Sequence, residues 1–332
     1  MKLQDGSVAY SAEENANVHA IHYKALYGRP PSFDPTVMAS LKQRPVVPGL
    51  DHVPKEQEIR RCVAKLHDTA PGETGLPAIV WKVLVSTSAG YDLVERMVHH
   101  FWATAEVPAS WETGLLAILF KKGDRGDPGN YRGIMLLETA YKIVGNLLLE
   151  RMSVVKEGLP HEPQCGFRGA RTTMDATWTV KMLVKKRREH GLPTWLLMID
   201  LVKAFDRVPR ELLWKLLLLY GMPPLLVALR VALHKHVSAV FDVDGVRRTL
   251  ESIIGVKQGD LLGPELFTFY MCAVMETWRT EHENPLCVMR TARDFKLTGR
   301  RPTARGEDFS VGDSEYADDT GLPFESRQDC ET

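Results

Sequence analysis

The chain has 332 residues, 44% hydrophobic and 25% charged, which is globular composition and excludes a disordered or fibrous protein. Lys plus Arg and Asp plus Glu both number 42, so bulk charge excludes a wholly basic nucleic-acid binder but not a locally basic surface. The five scattered cysteines form no Cys-x-x-Cys pair, the N-terminus is too polar for a secretory signal, and the most apolar stretch, 212–229, is broken by Lys215, Gly221, Pro223 and Pro224; the expectation is a reduced, intracellular, soluble chain with no membrane span.

Residues 1–50 are polar and spotted with Pro30, Pro31, Pro35, Pro45 and Pro48, which predicts a tail or linker with little structure of its own. Helical spacing of Ile59, Cys62, Val63 and Leu66 predicts a helix over 55–70, and further helical patterns fill 77–103. The apolar run 115–120 suits a buried strand, and 133–137 could return as its hairpin partner across the polar loop 121–130. Ala140, Ile143, Val144, Leu147, Leu148 and Met152 mark an amphipathic helix. Residues 173–190 predict another, basic on one side through Lys181, Lys185, Lys186, Arg187 and Arg188. Residues 194–200 read as a buried strand closing on Asp200. A Leu-rich helix over 208–220 stops at Gly221, and a second follows Pro223-Pro224. Residues 237–254 read as a hairpin about Asp244-Gly245, a helix starts near Pro264, 280–308 reads as a polar variable loop, and 309–322 as a hairpin about Asp318-Asp319. Helices mixed with antiparallel hairpins predict an α+β fold.

Charge is uneven along the chain. Residues 121–190 carry 14 basic and 8 acidic residues, whereas 191–332 carry 17 and 21. This is either the ordinary fluctuation of a solvated surface or a phosphate-facing lobe beside a carboxylate-bearing one. Asp200 at a strand end and the Asp318-Asp319 doublet are the acids that matter for the second reading. Two-metal phosphoryl chemistry needs carboxylates held rigidly around a pair of divalent ions, and strand ends provide that rigidity. Each acid alone has a plainer reading, as a turn or helix-cap residue, and Asp206 could cap the helix that follows it. The ordered combination is what points to metal chemistry.

The strings MIDLVKAFDRV (198–208), GVKQGDLLGPELF (255–267) and YADDT (316–320) resemble motifs A, B and C of reverse transcriptases. LFKKGDRGDPGNYRGIMLL (119–137) and QCGFRGART (164–172) resemble the fingers motifs of the non-long-terminal-repeat, LINE-like branch, and 56–112 its N-terminal fingers extension. The resemblance implies a right-hand polymerase: 51–190 as fingers with that extension, and 191–332 as an incomplete palm, with 207–254 partly a fingers–palm connector and the thumb absent. It implies an RNA-directed DNA polymerase fragment that adds dNTPs to a DNA primer on an RNA template with two Mg²⁺ ions, Mn²⁺ being the alternative. Asp200, Asp318 and Asp319 are then catalytic and metal-binding, with the main-chain carbonyl of Leu201 as a further ligand. Arg132 grips the triphosphate with Lys121 and Lys122 assisting, Phe205 gates the sugar, and Gln258 and Gly259 touch the templating base and incoming nucleotide.

Read without their flanking motifs, Phe205 is a core aromatic, Gln258-Gly259 a plain turn, and Lys121-Lys122 a solvated loop tip. Gly263 and Asp260 depart from the family pattern in motif B. The chain stops 13 residues after Asp319, so the thumb and endonuclease domains are expected only in a full-length element. Alternatives are an inactive retroelement remnant with residual RNA binding, a group II intron maturase-type reverse transcriptase, or a palm-type nucleotidyl cyclase, against which the fingers motifs and the Gln-Gly pair speak. Nothing in the sequence assigns nucleus or cytoplasm.

Overall fold

The computed structural model describes residues 1–3, 6–28, 35–159, 163–257, 259–281, 287–290 and 308–331. In chain order the elements are α1 (Ala12–Tyr27), α2 (Glu56–Ala64), α3 (Ala78–Leu84), α4 (Ser88–Thr104), α5 (Ala109–Glu112), β1 (Thr113–Phe120), β2 (Tyr131–Leu136), α6 (Thr139–Glu157), α7 (Thr173–Glu189), β3 (Trp195–Ile199), α8 (Arg210–Leu219), α9 (Pro224–Lys235), β4 (Ser238–Val243), β5 (Val246–Glu251), α10 (Gly263–Glu281), β6 (Cys287–Arg290), β7 (Asp308–Val311), β8 (Ser314–Tyr316), β9 (Asp319–Phe324) and α11 (Arg327–Glu331). The α+β expectation holds. Among the described residues no helix is long and apolar enough to cross a membrane.

Packing divides the chain into two units that alternate along the sequence, 1–159 with 205–270, and 160–204 with 271–332. The division does not fall at 190/191, where the sequence suggested a boundary. Strand β3 pairs with β9, and α7 packs on β8, so residues before 190 share a unit with the end of the chain.

The first unit is built on a four-stranded sheet in the order β2-β1-β4-β5. Its strands are antiparallel except for the parallel pair β1 and β4. Phe120 faces Tyr131, so the polar loop 121–130 forms the tip of a hairpin, as its composition suggested. The second hairpin turns at Asp244-Gly245, with φ of 52° and 85°. Such a pair suits a two-residue loop whose twist matches the strands. Helix α6 forms the core beside the sheet, with Ile143, Val144, Leu148 and Met152 fully buried. Helix α8 stops as predicted at Gly221, with φ of 85°. The Met222 N–H donates to the Leu217 carbonyl at 3.0 Å, and the Gly221 N–H to that of Leu218 at 3.1 Å. That double closure satisfies the carbonyls a helix end would otherwise leave bare.

The N-terminal expectation is corrected. Residues 12–27 form a helix, opened by a capping box in which Ser11 Oγ accepts from the Glu14 N–H and the Glu14 carboxylate accepts from the Ser11 N–H. Its buried residues include Ala16, His19, Tyr23 and Tyr27, spaced three and four apart on one face. The polar residues interleaved with this stripe hid it in the sequence. Tyr23 stacks on Tyr27 at 5.6 Å and approaches Phe241 of β4 at 6.4 Å. Burial raises the pKa of both phenols.

The second unit carries the three-stranded antiparallel sheet β3-β9-β8. Met275 of α10 packs with Leu322 and Phe324 of β9, and Ile199, Trp278 and Cys330 close around them. Two expectations are corrected here. Strand β3 was read as buried, yet Trp195, Leu196, Leu197 and Met198 are all exposed, Met198 by 64%. The strand lies at an edge of its sheet, and an apolar run reports propensity for strand, not the cover that burial requires. Arg187 was counted with the basic side of α7, yet it is 2% exposed. Its guanidinium donates to the Pro193 carbonyl at 2.8 Å and pairs with Glu325 at 2.7 Å, tying the helix to the approach of β3. Only 287–290 and 308 of the predicted loop 280–308 lie among the described residues beyond the end of α10, and Arg300-Arg301-Pro302 lies outside them.

Replacing Tyr23 with Ala removes a buried ring from the α1 interface. The variant is expected to lose about 3 kcal/mol of stability in urea unfolding, with the loss confined to the first unit's transition.

Candidate active site

Asp200 and the Asp318-Asp319 doublet are carried by neighbouring strands. The β3–β9 ladder runs from Trp195 opposite Phe324 to Ile199 opposite Thr320. Asp200 is the next residue after this last pair, and Asp319 the residue preceding Thr320. Tyr316 pairs with Asp319, so Ala317 and Asp318 form the loop of the β8–β9 hairpin. Ala317 has φ of 58°, a left-handed conformation unusual for a residue with a Cβ.

Electrostatics reflect the gathering. The pKa of the Asp319 carboxyl is raised, first by burial and then by the negative charges of Asp318 and Asp200. Like charges within reach of one another disfavour ionisation, which a bound cation would relieve. Among the described residues no group of three or more His, Cys, Asp or Glu side chains is placed to hold a metal ion. Mg²⁺ takes only one or two protein carboxylates and fills its octahedron with water and substrate phosphates.

Beside the hairpin lies an acid pair that the sequence reading missed. Asp313 and Glu315 are 3% and 0% exposed. Burial drives both carboxyls up, Asp313 to about 6 and Glu315 to about 7, and they hydrogen-bond each other. Arg279 pairs with Asp313 and lies 3.9 Å from Glu315, which opposes part of the shift. The signal was available: two acids one residue apart in a segment otherwise marked for burial, just before the Tyr-Ala-Asp-Asp string.

The remaining predicted residues among those described lie in the first unit, apart from Leu201, which is exposed immediately after Asp200. Lys121, Lys122 and Arg132 are exposed on the β1–β2 hairpin. Phe205 stacks on Phe267, with centroids 4.4 Å apart and planes 22° off parallel. Gly259 has φ of 103°, and a Cβ there would lie 2.4 Å from the Met135 carbonyl, so the position requires glycine. Gln258 lies outside the described residues. Asp206 does not cap α8, whose N-cap is Pro209; it is 5% exposed. Asp260, noted only as a departure from a motif, accepts from the Tyr141 hydroxyl at 2.8 Å and pairs with the fully buried Arg230 at 3.4 Å.

Comparison with known proteins shows the family of the chain. Residues 120–332 match the family described as "Reverse transcriptase (RNA-dependent DNA polymerase)". The chain belongs to the reverse transcriptase family. It is 28% identical over 266 residues to the uncharacterized 149 kDa protein of transposon TX1 of Xenopus laevis, covering 80% of this chain and 19% of that protein. It is 27% identical over 223 residues to the RNA-directed DNA polymerase from mobile element jockey of Drosophila melanogaster, covering 64% and 24%. These relatives belong to non-long-terminal-repeat retrotransposons, so the domain is a reverse transcriptase domain of that branch, and the chain spans a quarter or less of their lengths. A solved structure, apo telomerase from Candida tropicalis truncated from its C-terminal domain, is similar at a TM-score of 0.44 and 9% identity, over 68% of this chain and 46% of that one. Reverse transcriptases use divalent metals in general, which suits the acids gathered at the end of β3.

The raised pKa values of Asp313 and Glu315 have a sign. Folding takes up protons on these groups, so their contribution favours the folded state at acid pH and is lost as pH rises through about 6 and about 7. Glu315→Gln removes one ionisation while keeping a polar partner for Asp313. Its melting temperature is expected to gain on that of the unmodified protein between about pH 5 and about pH 8. Parallel pH profiles in calorimetry would show that Glu315 does not titrate in this range.

Proposed function

We propose that this chain carries the fingers and most of the palm of a retrotransposon reverse transcriptase, and that it adds deoxynucleotides to a DNA primer 3′-hydroxyl on an RNA template, releasing pyrophosphate. The observation that carries this reading is the β3–β9 pairing, which brings Asp200 to the Asp318-Asp319 turn.

Asp200 and Asp318 would hold two Mg²⁺ ions, or Mn²⁺, with the Leu201 carbonyl as a further ligand and Asp319 supporting the site. When bound, the ions stabilise charge on the attacking and leaving oxygens. The other roles belong to side chains of the protein. The Arg132 guanidinium, planar and always charged, suits bidentate binding of a triphosphate, and Lys121 and Lys122 add positive charge nearby on the same hairpin. Phe205 would be the sugar gate, a flat ring leaving no room for a ribose 2′-hydroxyl, and its stacking on Phe267 restrains the ring plane. Gly259 permits close approach of main chain to the nucleotide, beside Gln258, which contacts the templating base. The RNA template, the primer and dNTPs are the partners.

Two outcomes test the assignment. Asp200→Asn and Asp318→Asn should each lower Mg²⁺-dependent extension of a DNA primer on RNA by roughly a hundredfold or more, and retained activity in either removes the metal role. Phe205→Val should raise ribonucleotide incorporation relative to deoxynucleotide; unchanged sugar discrimination in competition assays removes the gate.

A further inference from the structure

Gln164 opens the string Gln-Cys-Gly-Phe-Arg, to which the family resemblance gives no role. It is 1% exposed, and its amide makes four hydrogen bonds, two of them to the main chain of Ala317. Oε1 accepts from the Ala317 N–H at 2.9 Å and from the Gly166 N–H at 2.7 Å. Nε2 donates to the Ala317 carbonyl at 3.2 Å and to Glu315 Oε2 at 3.1 Å. Both polar groups of residue 317 are therefore held by one side chain, as a neighbouring strand would hold them. The backbone strengthens the contact. Cys165 N–H donates to the Glu315 carbonyl at 2.9 Å, and Glu315 N–H to the Pro163 carbonyl at 3.1 Å. A Cβ on Gly166 would lie 2.2 Å from the Ala317 nitrogen, so that approach is possible only for glycine.

Residue 317 needs such a hold. It is an alanine in a left-handed conformation, a cost of about 1 kcal/mol, in a two-residue hairpin loop where Gly, Asn or Asp is the usual solution. The residue it orients is Asp318. Without the amide, the peptide could relax and turn the carboxylates of 318 and 319 away from Asp200, a change that repulsion among the three acids would favour.

We propose that Gln164 is a positioning residue that locks the Ala317 peptide and thereby fixes the direction of Asp318 and Asp319 for divalent-cation binding. The inference rests on the metal role given to those aspartates under the proposed function. It adds a residue outside motifs A, B and C to the machinery that shapes the site.

The test uses the full chain with Gln164→Leu, which keeps volume and removes all four hydrogen bonds. Gln164→Glu is the second variant: above neutral pH it keeps the acceptor and loses both donations. Amide exchange by NMR reads the clamp, and Mn²⁺ binding followed by electron paramagnetic resonance, without nucleotide, reads its consequence. The Ala317 amide should be protected in the unmodified protein and exchange roughly tenfold faster or more in each variant. Mn²⁺ affinity should fall roughly tenfold while exchange in the β3–β9 ladder stays unchanged, which a general loss of stability would not produce. An unprotected Ala317 amide in the unmodified protein overturns the clamp. Faster exchange with unchanged Mn²⁺ affinity overturns the positioning role, provided Asp318→Asn loses Mn²⁺ in the same titration. Equal Mn²⁺ binding by Asp318→Asn overturns the metal assignment, and the inference with it.

Discussion

The pairing of β3 with β9 is the interaction on which the site depends. Asp200 is more than a hundred residues from Asp318 along the chain, and the ladder from Trp195–Phe324 to Ile199–Thr320 brings their segments together. An antiparallel register is discrete. A slip of one residue would move every side chain of β3 to the opposite face and separate the acids. The register is held from several directions: Ile199 enters the cluster of Met275, Leu322 and Phe324, and Arg187 anchors the segment leading into the strand.

Collecting acids works against the fold that collects them. Asp319 carries the repulsion of two neighbours, and Asp313 and Glu315 sit buried where ionisation is costly. The surrounding structure offsets this with specific partners, namely Arg279 for the acid pair and the Gln164 amide for the hairpin peptide. Gln164 gives two of its four hydrogen bonds to the main chain of a left-handed alanine and the other two to Gly166 and Glu315. Backbone held in sparsely populated conformations clusters at functional sites in general.

Much of this was legible in the sequence, for reasons that differ by element. The hairpin at Asp244-Gly245 was readable because turn chemistry is local, and the end of α8 because only glycine suits the position after Tyr220. The aspartates stood out in the sequence because motif order carries information that no single acid does, and the β3–β9 register sets Asp200 and Asp319 at the ends of paired strands. Cover was not readable. Apolar Leu196 and Met198 spelled a strand correctly and its burial wrongly, since burial depends on what a sheet's neighbours supply. Helix α1 escaped notice because one stripe of aromatics among polar residues makes no continuous apolar run, although its spacing was regular. Gln164 escaped for a deeper reason: its partner at 317 is brought to it only by the tertiary fold, and an amide in a motif names no target.

The apolar outer strand of the second unit has a bearing on how the protein behaves in concentrated solution. Among the described residues, the outer edge of this strand, flanked by Trp195, Leu196 and Met198, pairs with no other strand, and such a row of main-chain donors and acceptors is a template for another extended segment. Colloidal behaviour and folding stability are therefore set by different parts of the molecule. A charged side chain introduced on that row would be expected to keep the protein dispersed while leaving the carboxylate end of the strand in register.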